Sequence, residues 1–170
     1  MKAPVTFKLL LSLEPIKTNA RMYTDTAWIK DAEKELKSAS HAVVTSYIFN
    51  SKGFFDVLLK RLKKKSRDPF TCLVLVDDAA YEENKAPQER RMLKDLKDDG
   101  AQVWLCTGRS KGGIFHWKAL LLDSRIVYWG TANLTNNSLN SRDLMQRLTG
   151  PAIDDFKAGI DEAMAAGRSL

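Results

Sequence analysis

The sequence predicts an α/β fold in which a mixed, partly parallel β-sheet is flanked by helices. Short β-branched and apolar runs alternate with segments whose apolar residues recur at helical spacing along most of the 170-residue chain. Two late apolar runs are separated by only a short polar turn, which is typical of an antiparallel hairpin. The sheet is therefore expected to be parallel in its first part and antiparallel later.

In the first half of the chain, Trp28, Ala32 and Leu36 recur at helical spacing, whereas later runs such as TCLVLV have the apolar and β-branched composition of buried strands. The expected elements are a short strand at Arg21–Thr24, a helix at Asp25–Ser40, a strand at His41–Phe49, a helix carrying the apolar stripe from Phe54 to Leu62, and a strand at Thr71–Val76.

In the second half, Gly100 marks the end of one helix and Pro151 the start of another. The expected elements are a helix at Gln88–Asp99, a strand at Ala101–Cys106, hairpin strands at Phe115–Leu122 and Ile126–Thr131 about the turn Asp123–Arg125, a strand at Arg142–Leu148, and a helix from Pro151 to about Ala165.

The chain is expected to hold one domain at residues 20–170, preceded by an N-terminal segment at 1–20. Lys8, Glu14 and Pro15 make that segment a poor secretion signal, so two interpretations stay open: a further part of the domain, or a removable leader. No stretch of the sequence is long and apolar enough to predict a membrane span.

The composition is that of a globular protein, with 44% hydrophobic and 28% charged residues. The net charge of +6 favours a polyanionic partner such as nucleic acid or an acidic membrane face. Cys72 and Cys106 lie in apolar runs, which indicates buried thiols and the cytoplasm or another reducing compartment. The cysteines and histidines do not have the spacing of a metal site.

Ligands of parallel α/β sheets gather at the carboxyl ends of the strands. The loops expected at that edge are Asn50–Gly53, Asp77–Asn84 and Thr107–Gly113. Lys52, Arg109 and Lys111 lie in these loops and are the candidates for guiding a phosphate backbone to the site.

Polar residues whose side chains could take part in a reaction flank the predicted hairpin. His116 and Lys118 are two residues apart, so on a strand they project from the same face, and Thr131 and Asn133 repeat this arrangement on the next strand. An imidazole can attack phosphorus or protonate a leaving oxygen. Ammonium and amide donors can hold the non-bridging oxygens as charge builds up. The set therefore suits a phosphodiester.

The spacing His116-x-Lys118-x4-Asp123-x6-Gly130-Thr131-x-Asn133 resembles the HKD motif, HxKx4Dx6G(S/T)xN, of the phospholipase D superfamily. Six matched positions would arise by chance in about one chain of this length in 10⁵–10⁶. The similarity extends to the order of elements from about Ala20 to Ala165, so the resemblance implies a complete phospholipase D-like domain. Asp123 lies at an odd offset from His116, which predicts a structural role in the turn with Arg125, as for Gly130.

The resemblance also implies a mechanism and a set of roles. His116 forms a phosphohistidine in one subunit and acts as general acid in the other. Lys118 and Asn133 bind phosphate, and Thr131 supports them. Family members usually carry a glutamate about ten residues beyond the asparagine that orients the histidine, and Asp143 is the shorter candidate here.

The family's reaction needs two histidines and no metal or other cofactor. His41 lacks a lysine two residues on, because Val43 stands there, and it is interpreted as a helix-end or core histidine. The resemblance therefore implies a homodimer with two motifs facing across a two-fold axis.

The charge and the lack of an apolar span favour a nuclease, an endonuclease-type phosphodiesterase, over a lipid enzyme. A phospholipid hydrolase of the cardiolipin type stays open as an alternative, with Phe54, Phe55 and Ile114 as candidates for an apolar entry surface. A nucleic-acid-binding domain with little or no turnover is a further alternative.

Overall fold

The computed structural model describes residues 19–170 except 25, 65, 66, 68, 84, 85 and 111. Most of residues 1–20, for which a separate segment was predicted, lie outside this part of the chain. The described elements, in chain order, are β1 (Asn19–Tyr23), α1 (Ala27–Ser38), β2 (His41–Ser46), α2 (Lys52–Lys63), β3 (Thr71–Asp77), α3 (Asp78–Glu82), α4 (Pro87–Asp98), β4 (Gln102–Cys106), β5 (Ala119–Leu122), β6 (Ile126–Gly130), a 3₁₀ helix (Asn136–Asn140), β7 (Met145–Thr149), α5 (Ala152–Ala165) and β8 (Arg168–Ser169).

The described strands form one mixed sheet in the order β1-β7-β6-β5-β2-β3-β4-β8. β2, β3 and β4 run parallel to one another, whereas the neighbouring pairs from β2–β5 outward to β1 are antiparallel, as is β4–β8. This confirms the predicted fold class, with the parallel part first and the antiparallel part later.

The helices cover both faces of the sheet. Helices α1, α2 and α4 pack on one face, where Leu36, Leu58 and Leu93 are fully buried in the larger apolar cluster. Helix α5 covers the other face through Ile153 and Ile160. Successive side chains along β5 and β6 alternate between the two apolar clusters, because each strand has one cluster on each face.

The hairpin between β5 and β6 has the predicted turn. Asp123 and Ser124 both adopt positive φ angles, 49° and 54°, and the Arg125 amide donates to the Leu122 carbonyl oxygen at 2.9 Å. Positive φ values at the two central residues of the four-residue turn Leu122–Arg125 match the twist of the hairpin strands, and Asp tolerates this region better than most residues.

Some boundaries and elements differ from the prediction. β5 begins at Ala119 rather than at Phe115, because the Phe115 amide donates to the side chain of Asp77. The segment predicted as a loop at Asp77–Asn84 contains α3, whose first turn is capped by Asp77. The two-residue strand β8 and the 3₁₀ helix were not predicted, since neither contains enough residues to show a periodic pattern.

Candidate active site

The two halves of the motif meet at one end of the hairpin. Ala119 lies opposite Trp129, and the Gly130 amide donates to the Lys118 carbonyl oxygen at 3.2 Å. The segment carrying His116 is thereby held beside the segment that follows Gly130. The carboxyl end of β2 adjoins both halves: Tyr47, directly after the strand, contacts His116, and Ser46 Oγ accepts from the Leu134 amide.

His116 is exposed, and its ring meets Tyr47 edge-on with the ring centroids 5.3 Å apart. Partial burial and the nearby charge of Lys118 lower the pKa of His116 below its ordinary value, against an opposing effect of Asp77. The imidazole is therefore mostly neutral at pH 7, which is the form that can act as a nucleophile or a base.

Lys118 is a buried cation, with only 6% of its surface exposed. Its Nζ donates to the His116 carbonyl oxygen at 2.9 Å. Burial lowers the pKa of Lys118 to about 8, and the charge of Asp143 acts in the opposite direction. At pH 7 the ammonium is mostly charged, and it has further donors for an anion.

Thr131 and Asp143 form the second half of the site. The Thr131 hydroxyl donates to Asp143 Oδ1 at 2.9 Å and accepts from the Leu144 amide at 3.0 Å. Asp143 is therefore hydrogen-bonded to Thr131, and the charge of Asp143 acts on Lys118. The carboxylate whose charge acts on His116 is that of Asp77. The predicted orientation of His116 by Asp143 stays a prediction.

Gly130 lies where the chain passes closest to β7. A Cβ atom at this position would come within 2.0 Å of the Leu144 carbonyl oxygen, a backbone atom that cannot move independently. The glycine thus allows the backbone of Thr131 to pair with Leu144, whose carbonyl oxygen accepts from the Thr131 amide at 3.0 Å.

Asn133 has a buried amide oxygen with no hydrogen-bond partner among the described residues. The next residue, Leu134, is firmly held: its amide donates to Ser46 Oγ at 3.1 Å, and its carbonyl oxygen accepts from the amides of Asn50 and Ser51 at 3.0 and 2.9 Å. The amide oxygen of Asn133 can only accept a hydrogen bond, so the group of this carboxamide that could donate to a phosphate oxygen is its nitrogen.

Asp123 lies at the opposite end of β5 from His116. Its Oδ1 accepts from the amides of Ser40 and His41, each at 2.8 Å, and its Oδ2 accepts from Arg125 at 3.0 Å. Burial opposes ionisation, but these hydrogen bonds and the guanidinium outweigh it and lower the pKa of Asp123. The contacts are structural, although the backbone donors belong to the start of β2 rather than to the turn.

The other histidine is placed differently from the prediction. His41 is exposed at the start of β2, with its Nδ1 2.6 Å from Thr71 Oγ1, so it is neither a core nor a helix-end residue. The length of β2, at about 3.3 Å per residue, separates His41 from Tyr47 by roughly 20 Å.

The predicted substrate-binding residues lie at different parts of this edge. Arg109 pairs with Glu162 at 3.1 Å, and both line a groove of about 750 Å³ that also touches His116. Lys52, at the start of α2, pairs with Asp56 at 2.7 Å, away from this groove. Lys111 lies outside the described residues.

A second groove, of about 420 Å³, adjoins the first beside His116 and Lys118. Its walls are largely apolar: Trp129 is 42% exposed, and Trp117 packs against Phe156 with ring centroids 5.4 Å apart. Trp117 thus packs towards α5. Of the apolar candidates from the sequence, Phe54 is buried and Phe55 packs against the core, whereas Ile114 is exposed.

Sequence reasoning missed three residues of this region: Tyr47, Trp129 and Asp77. Tyr47 lies near the carboxyl end of the strand predicted at His41–Phe49, where the ligands of parallel sheets gather, and this position was a usable signal. Trp129 immediately precedes the motif glycine, but a tryptophan in an apolar run indicates packing as readily as a site. Asp77 was interpreted as part of a turn, and its contact with Phe115 depends on tertiary structure.

No group of three or more His, Cys, Asp or Glu side chains in the described part of the chain is arranged to hold a metal ion. Among the same residues, no helix combines the length and apolar composition required to cross a bilayer.

Comparisons with known proteins agree with this geometry. The family model described as "Cardiolipin synthase, PLD-like domain" matches residues 30–155. A comparison with curated proteins finds no match.

Solved structures show the same fold at low sequence identity. Nuc from Salmonella typhimurium, a phospholipase D family member, superposes with a TM-score of 0.73 at 13% identity over 91% of this chain and 97% of its own. NucT from Helicobacter pylori gives 0.69 at 13% identity over 91% and 100%. TrmBL2, an archaeal chromatin protein that binds DNA, gives 0.59 at 12% identity over 95% and 57%.

The family model covers most of the chain, including His116, Lys118, Thr131, Asn133 and Asp143, and the structural matches span nearly all of it. The chain therefore belongs to the phospholipase D-like family.

Proposed function

We propose that this protein is a phosphodiesterase that acts on nucleic acid through His116. One observation carries the proposal: a mostly neutral imidazole and a buried ammonium come from one half of the motif, and the Asn133 carboxamide comes from the other half, beside the carboxyl end of β2. These are the groups that a phosphodiester requires as nucleophile and as donors to its oxygens.

The chemistry follows from the groups present. His116 attacks phosphorus, a P–N bond forms, and the P–O bond to the leaving group breaks as that oxygen takes up a proton from a general acid. Water then attacks the phosphohistidine, the P–N bond breaks, and the same acid, now a base, accepts the water proton. Lys118 and Asn133 hold the non-bridging oxygens throughout, since their donors are fixed before charge builds up.

The general acid is proposed to be His116 of a second copy of the chain. The only other histidine in the sequence is His41. It lies roughly 20 Å along β2 from Tyr47, the residue that contacts His116, and is therefore too far away to reach the same phosphorus. A two-fold dimer would bring two equivalent imidazoles together, one neutral and one protonated in the working state.

Nucleic acid is the substrate class that the charge favours. The chain carries a net charge of +6, and Arg109 lies on the groove beside His116, where it can contact a phosphate backbone. DNA binding by TrmBL2, which shares the fold, supports the same class.

Phospholipid is the second candidate substrate, and one observation favours it. The groove of about 420 Å³ beside Lys118 has apolar walls, with Trp129 exposed and Phe156 behind Trp117. Such a surface can accept an acyl chain as well as a base. The cardiolipin synthase description of the matching family model points in the same direction.

The test is cleavage of single-stranded DNA, double-stranded DNA, RNA and cardiolipin vesicles in EDTA by the wild-type chain, His116→Ala and His41→Ala. We expect nucleic acid cleavage that survives EDTA, disappears in His116→Ala and persists in His41→Ala, the matched control. Cleavage of vesicles alone would establish the lipid candidate instead. Nucleic-acid binding without cleavage would indicate a binding domain, and a requirement for added metal would exclude this mechanism.

A further inference from the structure

Two buried carboxylates outside the motif each accept a hydrogen bond from a backbone segment that leads into the site. Asp77, at the end of β3, and Glu89, in the first turn of α4, are each 1% exposed. Asp77 Oδ2 accepts from the Phe115 amide at 2.6 Å, and Glu89 Oε1 accepts from the Phe49 amide at 2.5 Å. Burying a carboxylate is costly, so its retention calls for a specific role.

The hydrogen bond to Asp77 fixes the residue that precedes His116. Phe115 is itself buried, and its backbone is not part of β5, so the carboxylate takes the place of a strand partner. The other oxygen of Asp77 accepts from the Ala80 amide at 2.8 Å and caps α3. One side chain thus ties the nucleophile segment to both the sheet and a helix.

The hydrogen bond to Glu89 fixes the other half of the site. Phe49 forms a parallel bridge with Leu134, the residue after Asn133. The Asn50 and Ser51 amides donate to the same Leu134. A shift of Phe49 would therefore move the backbone that carries the Asn133 carboxamide.

The charge of Asp77 also acts on Glu89. Burial raises the pKa of Glu89 to about 7, its hydrogen bond from Phe49 acts in the opposite direction, and the charge of Asp77 raises it further. The carboxylate that contacts Phe115 therefore influences the carboxylate that contacts Phe49.

We propose that Asp77 and Glu89 are positioning residues, Asp77 for His116 and Glu89 for Asn133, and that together they hold the nucleophile and the phosphate-binding amide in register. This inference rests on the proposed function for its kinetic consequences. Neither side chain touches the phosphate; each acts through a backbone amide.

The alternative is that both carboxylates only stabilise the fold. The variant Asp77→Ser distinguishes this structural role from the positioning role. Serine is as good an N-cap as aspartate, so it can keep the Ala80 contact, but it is too short to span to Phe115 as well. We expect kcat of the folded variant to fall about 10–100-fold, as for a displaced catalytic group, with KM little changed. The melting temperature should fall moderately, because the buried Phe115 amide loses its acceptor. Asp98→Ser, at an exposed carboxylate of α4, is the matched control.

Glu89 is tested by a conservative pair. Glu89→Gln keeps an oxygen that can accept from Phe49, whereas Glu89→Met removes it at similar length. We expect KM to rise in Glu89→Met and to stay near the wild-type value in Glu89→Gln. A folded Asp77→Ser with wild-type kcat, or equal KM values in the two Glu89 variants, would overturn the proposal.

A measurement that needs no activity completes the test. The chain has two histidines, so the ring signals of His116 can be assigned by comparison with His116→Ala. In Asp77→Ser we expect the nuclear Overhauser contact between the His116 and Tyr47 rings to disappear while the His41 signals stay unchanged. If that contact persists, the positioning role is wrong. If the wild-type chain cleaves no phosphodiester, the proposed function fails, and this measurement still decides the positioning role.

Discussion

The side chain of Lys118 folds back on the segment that precedes β5, and its Nζ donates to the carbonyl oxygen of His116 at 2.9 Å. The ammonium is therefore held in place before any phosphate arrives, next to the backbone of the residue that is proposed to attack it. This placement has a cost, because the cation is almost fully buried and its pKa falls to about 8.

Lys118→Met is expected to make the protein more stable and inactive. Methionine fills similar space without burying a charge, so the free energy of unfolding should rise. Each kcal/mol of added stability should raise the melting temperature by roughly 2–4 °C. Phosphodiester cleavage should be lost. Thermal unfolding and a cleavage assay check this, with the exposed Lys60→Met as control. A melting temperature that falls in Lys118→Met would contradict the argument.

Phosphate binding is expected to weaken as pH rises through about 8. Lys118 loses its charge over this range because its pKa lies well below that of an ordinary lysine. Affinity for a nucleic acid can be measured in the non-cleaving variant His116→Asn. In the same background, Lys118→Arg should remove the decline, since arginine stays charged. A decline that survives in Lys118→Arg would assign it to another group.

Asp143→Asn is expected to shift that decline to lower pH. The carboxylate raises the pKa of Lys118, so its removal should let the lysine lose its proton earlier. The Thr131 hydroxyl can still donate to the amide oxygen of the new side chain, which keeps the local geometry. The same binding titration, again in His116→Asn, gives the midpoint, and an unchanged or higher midpoint would count against the interaction.

Asp123→Ala is expected to destabilise the fold and leave the site intact. It removes the acceptor for the Ser40 and His41 amides, at a cost of about 1–3 kcal/mol in the free energy of unfolding. Because the folded-state pKa of Asp123 is lowered, the stabilisation by this carboxylate is present at neutral pH and is lost as pH falls through the acid range. Denaturant unfolding at pH 7 and at low pH checks both statements. The wild-type and variant curves should converge in acid; a constant difference would show that ionisation is irrelevant.

Gly130→Ala is expected to cost at least about 1–3 kcal/mol in the free energy of unfolding, because the new methyl group meets the Leu144 carbonyl oxygen. Activity should fall with it, since Thr131 moves with Gly130. Gly100→Ala is the comparison: that glycine has a positive φ of 100° but open space around it, so only backbone strain is added. Equal losses of stability in the two variants would argue against the clash.

Much of the fold could be predicted because its signals are local. The helical stripe of α1 and the β-branched runs of β2 and β3 each show their period within a dozen residues. The pairing of β1 with β7 could not be predicted, because it joins residues more than a hundred positions apart and depends on the assembled sheet.

The site divides in the same way. The spacing of the motif predicted His116, Lys118, Thr131 and Asn133 as candidates. The pairing of β5 with β6 brings the segments that carry them side by side, although none of the four lies within a strand. The carboxylates of Asp77 and Glu89 were beyond reach, because their partners are 38 and 40 positions away and reach them only through tertiary packing. A buried acid is also the residue type that sequence patterns assign to the surface.

The hairpin gives the two gap lengths of the motif a meaning that is independent of the chemistry. Counting outward from the turn at Asp123 and Ser124, each arm has the same number of paired positions before it reaches Lys118 on one side and Gly130 on the other. The gaps of four residues before Asp123 and six residues after it therefore correspond to the length of this two-stranded ribbon, the hairpin of β5 and β6. Substitutions within the ribbon change its packing, whereas a single inserted residue in either arm would turn the following side chains to the opposite face of the sheet. Insertions and deletions between His116 and Asn133 are thus expected to be far less tolerated than replacements of the residues between them.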